Sequence, residues 1–122
     1  MRAAYLLLTI FLSACDSTVI KDVQTVNHVV LVWFNRSVDE SYIHQVAVAS
    51  QQLEQISGVI TISAGLPIES ERPVVDDSFD LGLIIRFDSV DKMRSYVSDP
   101  IHKKFVEDYL QGKLDKLLVY DF

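Results

Sequence analysis

The sequence predicts an α+β domain in which four strands and two helical regions follow one another as βαββαβ. Two observations carry this. Residues 27–35, 59–66, 79–87 and 114–122 alternate at a period of two and are rich in β-branched and aromatic types. Between the first and second of these, and again between the third and fourth, cap-type residues precede apolar residues spaced three or four apart, the period of a helix face.

In the first strand His28, Val30, Val32 and Phe34 alternate with Val29, Leu31 and Trp33, so both faces are apolar and both need cover. Ser37, followed by Glu40 three residues on, reads as a capping box that opens a helix. Tyr42, Val46, Ala49, Leu53 and Ile56 then form one apolar stripe, and Gly58 follows as the residue that ends the helix. His44 falls off that stripe and reads as solvated. The second strand places Val59, Thr61, Ser63 and Gly65 on one face. Residues 67–77 hold two prolines and several charges and read as a long loop. The third strand places Phe79, Leu81, Leu83, Ile85 and Phe87 on one face. Ser89 and Asp91 open a short helix ending near Val97. Asp99 and Pro100 then restart the chain as N-cap and first helical residue of a helix over 100–111. That helix turns Phe105 and Tyr109 inward and ends at Gly112.

This order is the ferredoxin-like split-βαβ pattern, a four-stranded antiparallel sheet with helices on one face. The other face is then left bare and apolar, by Val30, Val32, Leu118 and Tyr120 or by their alternates. A bare apolar face of that size signals an interface. Two such sheets packed face to face would form a dimeric α/β barrel, and Val32→Glu would break it if Val32 faced the partner.

The chain has 122 residues, enough for one domain, with a formal net charge of −6. Its densest basic cluster is the pair Lys103–Lys104. An acidic domain without a basic stripe lacks the means to neutralise phosphates, which argues against nucleic acid as a partner. Arg2 precedes an apolar run over 5–12, too short to span the ~30 Å of a bilayer core but suited to a signal peptide. The run ends in Leu12-Ser13-Ala14-Cys15, which resembles a bacterial lipobox. The expectation is therefore a signal peptide over 1–14, lipidation at Cys15, a tether over 15–26 and a folded domain over 27–122. Two or more acyl chains on Cys15 would hold the protein stably on a membrane, at ~0.8 kcal/mol per buried methylene. That places it in a bacterial cell envelope. Asp16 resembles a signal for retention at the periplasmic face of the inner membrane.

Several segments together resemble the stress-responsive dimeric α/β-barrel family, often called Dabb. They are His28-Val29-Val30-Leu31-Val32-Trp33-Phe34, Ile56-Ser57-Gly58-Val59, Phe79-Asp80-Leu81, Phe87-Asp88-Ser89-Val90, Tyr96-Val97-Ser98-Asp99-Pro100-Ile101-His102, Phe105-Val106 and Val119-Tyr120-Asp121-Phe122. The tyrosine and histidine separated by five residues form the most specific of these elements. The resemblance implies a homodimer of ferredoxin-like subunits with a pocket between each sheet and its helices. A plant branch closes linear polyketides by aldol condensation. In that branch a histidine matching His102 is the general base, a tyrosine matching Tyr96 binds and polarises a carbonyl, and a histidine matching His28 lines the pocket. A further pocket histidine of that branch falls at Leu81 here, a departure from the pattern.

His102 suits proton transfer by its near-neutral titration, and a place in the first turn of a helix would keep it neutral. It could equally pack against the sheet with its nitrogen bonded to backbone. Tyr96 and His28 have similar structural roles open to them. The break at Asp99-Pro100 predicts that Tyr96 and His102 reach one cavity. No phosphate loop, zinc spacing or nucleophile elbow is present, and no cofactor or metal is implied. Asp76, Asp77 and Asp80 read as a solvated acidic loop. Two functions follow: a domain that binds a small apolar ligand, or simply stabilises itself, without turnover; or a small acid–base enzyme acting on a carbonyl compound through His102 and Tyr96.

Overall fold

The computed structural model describes residues 24–122. The expected signal peptide over 1–14, Cys15, Asp16 and the expected tether up to residue 23 lie outside the described residues. The elements are β1 (Val26–Phe34), α1 (Glu40–Ala49), β2 (Val59–Gly65), β3 (Leu81–Phe87), α2 (Val90–Tyr96), α3 (Pro100–Phe105) and β4 (Leu114–Asp121). A 3₁₀ segment, Ser50–Gln55, extends α1, and a π-helical turn, Val106–Leu110, extends α3. The strands form one antiparallel sheet in the order β2-β3-β1-β4, with the helices on one face. This is the ferredoxin-like arrangement. Among the described residues no helix is long and apolar enough to cross a membrane.

Burial alternates strictly along β1. Val26, His28, Val30, Val32 and Phe34 turn toward the helices, and Asn27, Val29, Leu31 and Trp33 turn away. Opposite the helix-facing set stand Phe87, Ile85, Leu83 and Leu81 of β3, and Val119 and Leu117 of β4. Val46, Leu53, Ile56, Tyr96, Phe105 and Leu110 close the core from the helix side. Val32 is fully buried within the single chain, so it does not belong to the bare face. That face consists of Val29, Leu31 and Trp33 with Gly82, Ile84, Leu118 and Tyr120. Both faces of β1 are apolar, so alternation alone could not tell one from the other.

Three local expectations shift for identifiable reasons. The N-cap of α1 is Asp39, whose carboxylate accepts from the Tyr42 amide at 2.8 Å. Ser37 instead bonds to the Asn35 side chain, and Glu40 lies near His44 on the surface. Asp39 competes successfully because it sits next to the first helical residue and its oxygen is charged. On β2 a bulge at Ile60 moves Val59 to the helix side, opposite Phe87, while Thr61, Ser63 and Gly65 stay on the bare face. Phe79 lies before β3 and turns to the bare face, edge-on to Trp33 at 6.4 Å. Asp80 anchors this crossing: its amide donates to the Val32 carbonyl at 2.8 Å and its carboxylate accepts from the Phe34 amide at 2.7 Å.

The second helical region breaks as expected. Ser89 caps α2 by accepting from the Lys92 amide, and Asp99 caps α3 by accepting from the Ile101 amide, with Pro100 in the first turn. A proline donates no amide hydrogen and cannot continue the preceding helix, which fixes the corner between Tyr96 and His102.

Candidate functional site

The corner at Asp99-Pro100 carries the last residue of α2, Tyr96, beside the third residue of α3, His102. Their ring centroids are 4.5 Å apart. Below them His28 projects from β1, 5.8 Å from the Tyr96 ring. Phe87 backs Tyr96 edge-on at 5.0 Å. His28, Tyr96 and His102 line a cavity of about 470 Å³ between the sheet and the α3 segment. Leu53, Leu83, Ile85, Phe105, Leu110 and Leu117 supply much of the remaining, apolar wall. Leu117 and Val119 are half-exposed, so the cavity opens along β4, the edge strand that the helices do not reach.

His102 donates from Nδ1 to the Val97 carbonyl at 3.1 Å, because a carbonyl can only accept. Nδ1 therefore carries the hydrogen, and Nε2 is left with a lone pair. Burial pushes the imidazole below its ordinary pKa of 6.5; the Val97 carbonyl and Asp99 oppose this and His28 adds to it. The neutrality expected from a helix dipole is thus reached mainly through desolvation, as befits a helix of only six residues. Burial likewise pushes the Tyr96 phenol well above its ordinary value, so it stays a neutral hydroxyl. That hydroxyl makes no hydrogen bond among the described residues and opens on the cavity.

His28 does not stand alone. Its Nδ1 lies 2.6 Å from Oδ1 of Asp121, 93 residues away on β4. The antiparallel register sets the pair, because His28 faces Asp121 directly. Sequence reasoning missed Asp121; only the register of β1 against β4 could have pointed to it. Leu81, expected at the pocket, does not line it. It pairs with Val32, further along the sheet than the His28–Ile85 pair, and is fully buried in the core.

The carboxylates of the acidic loop are engaged with nearby backbone and side chains. Asp76 accepts from the Ser78 amide and hydroxyl, Asp77 from the Ser70 amide and Asp80 from the Phe34 amide, so each carboxylate serves a separate backbone turn. Among the described residues no cluster of three histidine, cysteine or acidic side chains could hold a metal.

The profile of the family described as Stress responsive A/B Barrel Domain matches residues 26–122. The chain belongs to this family. A solved structure of an Arabidopsis thaliana protein is similar, with 26% identity and a TM-score of 0.69 over 80% of this chain and 92% of that one. A dimeric ferredoxin-like protein of unknown function from Bacteroides fragilis has 19% identity and a TM-score of 0.61, over 80% of this chain and 94% of its own. The hydroxynitrile lyase of Passiflora edulis has 18% identity and a TM-score of 0.65, over 82% and 93%. The last two share the fold. No curated protein matches the chain. The match begins at Val26, one residue before the expected domain start, where β1 begins.

Proposed function

We propose that this protein of the A/B barrel family is a lipid-anchored homodimer of a bacterial cell envelope that holds a small apolar ligand between its sheet and the α3 segment. The observation that carries the reading is the cavity itself. It is ligand-sized and apolar-walled, and its few polar groups are His28, Tyr96, His102 and Asp121. A packed core would have filled that space. Native mass spectrometry of the protein isolated from its host tests the reading: a dimer mass with a co-purifying small molecule supports it, and a ligand-free monomer counts against it.

The bare sheet face supports the dimer. Val29, Leu31, Phe79 and Ile84 surround a shallow hollow of about 330 Å³ there, and Ile84 and Tyr120 are half-exposed in one chain. The Bacteroides neighbour is described as dimeric. The anchor rests on Leu12-Ser13-Ala14-Cys15 at the end of the apolar run. Palmitate labelling that disappears in Cys15→Ser supports it, and labelling that survives the change removes it.

A second reading, acid–base chemistry on a carbonyl compound, draws on one specific feature. The His102 ring, with Nε2 unprotonated, lies 4.5 Å from the ring of Tyr96, whose hydroxyl is un-ionised, so a base and a donor share one cavity. In such chemistry Nε2 would take a proton from the carbon next to the carbonyl while the phenol bonds to the carbonyl oxygen. Proton–deuterium exchange at that carbon of a bound ketone, lost in His102→Ala and in Tyr96→Phe, is the expected sign. Binding without exchange leaves the first reading alone.

A further inference from the structure

Building on the reading of the cavity as a ligand site, we propose that it selects uncharged ligands, with one hydrogen-bonding head such as a ketone or alcohol on an apolar body of roughly ten heavy atoms, and that Asp121 excludes carboxylates. The polar groups that line it are His28, Tyr96, His102 and Asp121. Asp121 brings a negative charge, and its only partner among them is His28 at 2.6 Å. Whether that imidazole is protonated or not, the pair is neutral or negative and never positive.

The remaining groups offer an anion no cation. Burial lowers the pKa of His102 and raises that of Tyr96, which disfavours the imidazolium and the phenolate alike. Neither lysine nor arginine lines the cavity. Lys103 lies in the adjoining groove, which also holds Glu107. A carboxylate entering would give up hydration, find no counter-charge and face Asp121. A ketone or alcohol meets what it needs: a hydroxyl donor at Tyr96 and a lone pair at His102 Nε2. The size follows from the volume, since ~30 Å³ per water-sized unit leaves room for roughly ten to fifteen heavy atoms in 470 Å³.

The test measures the Kd of 2-nonanone, 1-nonanol and nonanoate on the full-length protein in lipid nanodiscs. It is run in low-salt buffer at pH 8, with empty nanodiscs as the blank; low salt matters because Asp121 is partly exposed and screened. The ketone and alcohol should bind at least tenfold more tightly than nonanoate, which corresponds to about 1.4 kcal/mol. Asp121→Asn keeps an acceptor for His28 and removes the charge; it should narrow the gap at least fivefold by strengthening nonanoate while the ketone changes little. Nonanoate binding the wild type as tightly as the ketone would overturn charge selection and leave the cavity reading standing. A gap unchanged in Asp121→Asn would overturn the role of Asp121. Failure of all three compounds to bind would remove the cavity reading and this inference with it.

Discussion

Replacing His102 with alanine removes the hydrogen bond from Nδ1 to the Val97 carbonyl and the packing against Tyr96. The hydrogen bond is worth about 1 kcal/mol. Val97 is exposed, so its carbonyl can take a water instead and no buried acceptor is orphaned. The aromatic contact at 4.5 Å adds about 0.5–1.5 kcal/mol. The change also enlarges a cavity that already exists. The expected loss is therefore about 1.5–2.5 kcal/mol. Phe105→Ala serves as the reference: that ring is 2% exposed and packs in the core, and its loss should cost about 3–5 kcal/mol. Urea unfolding of both variants, with the slope checked for constancy, gives the two numbers. Binding of 2-nonanone to His102→Ala is measured alongside and should weaken at least tenfold. If His102→Ala loses as much stability as Phe105→Ala while binding persists, His102 is a packing residue and the site argument fails.

Leu31→Glu should place a charge on the bare sheet face and convert the dimer to monomer in sedimentation, whereas a dimer that survives it is held by some other surface. Gly58 has φ of 93°, and a methyl there would collide with the Lys92 side chain at Cβ and Cγ, so Gly58→Ala should cost ~2 kcal/mol or more. Gly112, with φ of 73° and open space around it, should lose only ~1 kcal/mol on the same change, and equal losses in thermal unfolding would contradict the geometry. The depressed His102 pKa means that the unfolded chain takes up a proton first on acidification. Its contribution is therefore intact above about pH 6.5 and is lost as pH falls through the lower folded value. His102→Ala should flatten that limb of a stability–pH curve, and an unchanged limb would assign it to other groups.

The strands and the helix break were legible because each rests on local chemistry: alternation of apolar residues in β1 and β3, Ser89 and Asp99 as caps, and Pro100 as a stop. Tyr96 and His102 met as expected because the break between them is short. What stayed illegible depends on distant pairing. The bare face of β1 is decided by which side the helices cover, and both sides read alike. The bulge at Ile60 reverses Val59 without leaving a pattern in the sequence. Asp121 joins the site only because antiparallel β1 and β4 bring it opposite His28. Leu81 was expected at the pocket through resemblance alone, and its position in the register puts it beside Val32 instead.

The central claim is that a small molecule enters between the sheet and the α3 segment and meets His102 and Tyr96. Side-chain NMR of the labelled protein during titration with 2-nonanone tests it most directly. The account predicts saturable shifts of the His102 and Tyr96 ring signals, together with the methyls of Leu117 and Val119 at the opening, while Val29 and Leu31 stay still. Shifts confined to Val29 and Leu31, or none at His102 and Tyr96 at saturating ketone, would contradict it.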